Sequence, residues 1–111
     1  EGLETIGDRA FYNCETLARV HFPSTLKFIG DSAFYNAYKS SILELPEGLE
    51  HIGAYAFYFA GIKGFLTLPE GLKTIGESAF ESCSNMGGNL YLPSTLESIG
   101  SRAFKGDYNI Q

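Results

Sequence analysis

Pro69-Glu70-Gly71-Leu72-Lys73-Thr74-Ile75-Gly76-Glu77-Ser78-Ala79-Phe80-Glu81-Ser82-Cys83 decides the fold, because the chain writes this pattern repeatedly. Pro23, Pro46, Pro69 and Pro93 recur at spacings of 23, 23 and 24 residues, and Gly7, Gly30, Gly53, Gly76 and Gly100 at 23, 23, 23 and 24. Three residues after each glycine comes an Ala-Phe pair: Ala10-Phe11, Ala33-Phe34, Ala56-Phe57, Ala79-Phe80 and Ala103-Phe104. A fixed period of this length marks stacked supersecondary units, not a globule closed around one core.

The units divide the chain into windings of residues 1–22, 23–45, 46–68, 69–92 and 93–111 within a single domain. The first lacks its proline and opens mid-pattern, so the chain is expected to be a piece of a longer array. Apolar positions keep phase from winding to winding: Leu3, Leu26, Leu49, Leu72 and Leu96, then Ile6, Ile29, Ile52, Ile75 and Ile99. Before each proline an alternating pair recurs: Val20/Phe22, Leu43/Leu45, Leu66/Leu68 and Leu90/Leu92. Alternation ending in proline reads as a short strand, which the proline stops because it has no N–H to donate to a ladder. Leu-x-x-Ile reads as a second, weaker extended segment. Glycine in every copy after the isoleucine implies a backbone angle or a close approach that a Cβ would spoil. The stretch after it, such as Asp31-Ser32-Ala33-Phe34, reads as one helical turn, of 3₁₀ type, with Asp8, Asp31, Glu77 and Ser101 placed to cap it. The expected architecture is an α/β repeat solenoid: a right-handed superhelix of about five coils of 23 residues, with short parallel strands and single helical turns.

Composition removes several function classes. The 111 residues carry a net charge of −5, and the eight Lys and Arg are unclustered. That balance argues against nucleic acid and against an anionic membrane surface as partners. No apolar run approaches the roughly 20 residues of a spanning helix, so no membrane insertion is expected.

Chemistry is equally thin. Cys14 and Cys83 share a column three windings apart, about 14 Å if windings stack at about 4.8 Å, and a disulfide needs Cα atoms within about 7 Å. Ala37 and Ala60 fill the same column, so a small packed side chain is wanted there. His21 and His51 fall in different columns, the latter with Thr5, Phe28, Thr74 and Ser98, and no shared metal is expected. Glu47, Glu50 and Glu70 read as a solvated acidic edge. No convergent catalytic set, cofactor cradle or metal-ligand group emerges, so no enzymatic activity and no cofactor is expected.

Two exposed features remain. Beside the inward strand residues, the outward columns read Arg19, Ile42, Phe65, Asn89 and His21, Glu44, Thr67, Tyr91. Arg, Phe and Tyr are enriched at binding hot spots, and Ile42 and Phe65 are apolar neighbours. These eight residues form the candidate ligand-binding face; a merely solvated face is the alternative. Tyr12, Tyr35 and Tyr58 form a ladder directly after the Ala-Phe pairs, read as structural stacking.

Together these residues resemble the BspA-type leucine-rich repeat. Its pattern is approximately Leu-x-Leu-Pro-x-x-Leu-x-x-Ile-Gly-x-x-Ala-Phe-x-x-Cys, which Pro69, Leu72, Ile75, Gly76, Ala79, Phe80 and Cys83 match in one copy. Ala37, Ala60 and Asp107 depart from the cysteine column. The resemblance implies a cell-surface or secreted bacterial protein whose strand face, on the concave side, takes a protein or glycan ligand on a host or neighbouring cell. The runner-up implications are a spacer with no ligand of its own and an intracellular scaffold in a protist. Uncapped ends also imply end-to-end self-association of this piece.

Overall fold

The computed structural model describes residues 2–15, 20–37, 42–83, 86–88, 90–106 and 109–110. Two parallel sheets run through the windings. The first orders β1 (Thr5–Ile6), β2 (Phe28–Ile29), β3 (His51–Ile52), β5 (Thr74–Ile75) and β7 (Ser98–Ile99) side by side; the second orders β4 (Gly64–Phe65), β6 (Met86–Gly88) and β8 (Asn109–Ile110). The stack measures 34 × 33 × 21 Å.

The longer sheet is built from the Leu-x-x-Ile segment that the sequence marks as the weaker one. Its isoleucines pair in register, Ile6 with Ile29, Ile29 with Ile52, Ile52 with Ile75 and Ile75 with Ile99. The pre-proline segments at 20–22, 43–45, 66–68 and 90–92 form no ladder. Their inner residues still serve the core: Leu43, Leu66 and Leu68 are buried, whereas Leu92 is exposed. Alternation set which side chain turns inward, but pairing formed elsewhere.

The expected helical turn is absent; no helix occurs among the described residues. Alternate N–H groups there serve different masters. In the second winding Ala33, Tyr35 and Ala37 donate within the winding, to Gly30, Ser32 and Phe34 carbonyls at 3.1–3.3 Å. Ser32, Phe34 and Asn36 donate instead to Ala54, Ala56 and Tyr58 of the next winding at 2.7–2.9 Å. A 3₁₀ turn would keep every N–H local. Linked β-turns release every second one to the neighbour, at the expense of positive φ: Ser32 at 56°, Asn36 at 51°, and likewise Arg9, Tyr55, Ser78 and Arg102 at 55–62°. A non-glycine residue there costs about 1–2 kcal/mol, which the bonds between windings must offset.

The caps also reach across windings. Asp8 Oδ1 accepts from the Asp31 N–H at 2.8 Å, and Asp31 Oδ1 from the Ala54 N–H at 2.9 Å. Ala54 has no oxygen with which to continue that series. Where Thr25 and Thr95 replace the turn glycine, their hydroxyls donate to the Leu3 and Leu72 carbonyls of the preceding winding at 2.7 and 2.9 Å.

Like side chains lie on like. Phe11, Phe34, Phe57, Phe80 and Phe104 form one file, with consecutive centroids 5.0–5.4 Å apart and planes within 10°. Phe34, Phe57 and Phe80 are fully buried, as are Leu26, Leu49 and Leu72 beside them. Phe22 meets Phe34 edge-on at 5.7 Å. The repeated glycine owes its identity to proximity. A Cβ on Gly53 would stand 2.7 Å from the Gly30 carbonyl carbon and 2.8 Å from the Asp31 nitrogen, whereas one on Gly7 would meet nothing within 4 Å.

Two substitutions check this packing. Phe57→Ala removes the middle ring of the file and is expected to destabilise the chain by about 3–5 kcal/mol, read from denaturant unfolding. Gly53→Ala forces backbone apart and is expected to cost at least about 1–3 kcal/mol. Gly7→Ala is expected to be neutral or slightly stabilising; equal losses at the two glycines would contradict the close-approach account.

Candidate functional site

The outward residues of the second and third windings converge on one groove. Ile42, Glu44, Phe65 and Thr67 line it together with Leu43, Leu45, Glu47 and Pro69, around about 340 Å³. Phe65 is 73 % exposed and Ile42 45 % exposed, unusual values for such large apolar groups.

The local backbone explains the exposure of Phe65. Gly64 enters β4 at φ +82°, a region glycine occupies without steric cost. Phe65 then pairs with Gly87 of β6. The column counted back from the prolines sets Asn89 beside Phe65, but the fourth winding's extra residue shifts the register, and the true neighbour has no side chain. One flank of the phenyl ring is therefore left uncovered.

Of the remaining expected face, Tyr91 is 76 % exposed and His21 is exposed. Neither lines the groove, while Arg19 and Asn89 lie outside the described residues. Sequence reasoning missed Glu47 and Pro69 as groove residues. They follow the strand columns around the proline corner, and counting columns gives no sign that the corner folds back beside Phe65. Glu47 was grouped with Glu50 and Glu70, but the three separate: Glu50 pairs with Lys27 at 3.8 Å, Glu70 accepts from the Ser94 hydroxyl at 3.2 Å, and Glu47 faces the groove.

Elsewhere, packing accounts for the reactive side chains. Cys14 and Cys83 are free thiols, and the buried Cys83 Sγ donates to the Phe57 carbonyl at 3.0 Å. His51 stacks on Phe28 at 5.0 Å and its Nδ1 lies 2.7 Å from Thr74 Oγ1, in the column the sequence assigned. No group of three or more His, Cys, Asp and Glu suited to a metal occurs among the described residues.

The tyrosine ladder is stacked, Tyr12 on Tyr35 at 4.8 Å and Tyr35 on Tyr58 at 4.9 Å, with Arg9 over the Tyr12 ring at 5.7 Å. Loss of solvation raises the Tyr35 phenol above its ordinary pKa of 10.0, and the neighbouring Tyr12, Tyr58 and Tyr55 phenols raise it further.

Against this geometry the comparisons with known proteins can be read. A family model described as the BspA type leucine rich repeat region matches residues 1–111 in six copies. The chain belongs to the BspA-type leucine-rich repeat family. A solved member of the leucine-rich repeat class is similar: the crystal structure of the T. pallidum leucine rich repeat protein (TpLRR) superposes with a TM-score of 0.85 at 32 % identity. The match covers 97 % of this chain and 50 % of that one, so this BspA-type chain spans half the length of that protein. No curated protein is significantly similar to it.

The ladder has a pH signature. Folded Tyr35 keeps its proton where an unfolded tyrosine, at about 10, has begun to lose it. Stability is therefore full below that value and falls as pH rises past it. Phenolate absorbance is expected to show one tyrosine titrating above the others, and Tyr12→Phe or Tyr58→Phe to bring it closer to the ordinary value.

Proposed function

We propose that this BspA-type repeat is a non-catalytic protein-binding module, that it serves adhesion in a bacterial surface or secreted protein, and that it meets its partner through the face of Ile42, Glu44, Phe65, Thr67 and Tyr91. The observation that carries the reading is the exposure of Phe65 and Tyr91, 73 % and 76 %, on a face where Phe65 also borders a groove. Large aromatic groups of this kind are the residues on which interface energy concentrates. A rigid stack supports the role, since it holds such groups in place before binding and spares the ordering that binding otherwise requires. The absence of any catalytic constellation in the family's repeat pattern is consistent with it.

The spacer reading differs in one measurable respect. Beads coated with this chain are expected to adhere to host-cell monolayers or extracellular matrix, and the double variant Phe65→Ala/Tyr91→Ala to lose most of that adhesion while keeping its circular dichroism and melting temperature. Both side chains are exposed, so folding should be spared. Adhesion unchanged in the folded variant would favour the spacer.

A further inference from the structure

The groove has a chemical character that the family pattern does not set. Ile42, Leu45, Phe65 and Pro69 make its apolar part, and the only charges among its lining residues are the carboxylates of Glu44 and Glu47. Neighbouring turns neutralise theirs: Glu50 has Lys27, and Glu70 has the Ser94 hydroxyl. Glu47 is exposed and has no ion-pair partner among the described residues. A carboxylate held beside an open apolar surface attracts cations, and the surrounding low-dielectric walls strengthen that pull. At about 340 Å³ the groove is at the small end of ligand clefts, which run about 300–1,000 Å³. That is room for one large side chain with its adjoining backbone.

We propose that this groove takes an extended segment of a partner protein in which an apolar side chain is flanked by Lys or Arg. The apolar group rests on Phe65 and Ile42, and a neighbouring cation meets Glu47. The assignment rests on the protein-binding reading above and adds the partner's sign of charge. A second copy of this chain fits poorly, because each carries a net charge of −5 and would bring the same carboxylates together. Nucleic acid is repelled for the same reason.

The test uses short capped peptides of defined sequence: phenylalanine between two lysines, the same with glutamates or serines for the lysines, and the same with alanine for the phenylalanine. Amide shifts of Phe65 and Thr67 in the ¹⁵N-labelled chain report occupancy. The lysine peptide is expected to shift both saturably and to weaken as salt is raised. Phe65→Ala should weaken it by about fivefold or more, and Glu47→Gln by about two- to fivefold at low salt. Equal or tighter binding of the glutamate or serine peptide would overturn the charge assignment and leave the docking face standing. No shift with any peptide would overturn the assignment and count against the face itself.

Discussion

Everything in this chain depends on the contact between one winding and the next. A single winding has too little apolar surface to bury and too few internal hydrogen bonds to hold its shape. Stacked, each buried ring is covered on both flanks by its own copies, as Phe57 is by Phe34 and Phe80. Burying such a side chain contributes about 1.5–3 kcal/mol before entropy is counted, so the stabilisation resides at the junctions. The same junctions satisfy the backbone: the second winding gives three turn N–H groups to the third, at Ala54, Ala56 and Tyr58.

That dependence explains conformations that look unfavourable in isolation. Phe59 sits at φ +52° and is exposed, in the column that holds Asn13 and Asn36 in earlier windings. Asparagine tolerates this backbone region and bulky residues do not. The Phe59 N–H nevertheless donates to the Glu81 carbonyl at 2.8 Å, as Asn36 does to Tyr58. Register between windings overrides the local preference of the residue. Ser78 shows the same priority: it is fully buried at φ +55°, and its hydroxyl has no hydrogen-bond partner.

The sequence made the long-range order legible because like residues at one period must meet. The phenylalanine file, the isoleucine register, the Phe28–His51–Thr74 column and the free thiols all follow from that rule. It says nothing of local backbone geometry. Ser32 and Tyr55 carry no mark of a left-handed conformation, so the turn looked helical. Asp31 was placed to cap a turn, but not visibly the next winding's turn. In the groove, Ile42 and Phe65 were legible as outward apolar neighbours. Glu47 and Pro69 were not, since their approach depends on how the chain rounds the proline corner, and the Phe65–Gly87 pairing depends on where one added residue is accommodated.

That added residue is absorbed unevenly. On the isoleucine side Thr74 meets Ser98, 24 residues on, so the longer winding stays in step. On the opposite side Gly64 meets Met86, 22 residues on, and Gly87 meets Asn109 at the same interval. Backbone held at touching distance along the glycine column has no slack to accept an insertion; the other flank has. Length changes are thus channelled away from the rigid spine and toward the flank that bears the groove. Such an array can diversify its recognition surface by lengthening a loop while its pitch along the spine stays constant.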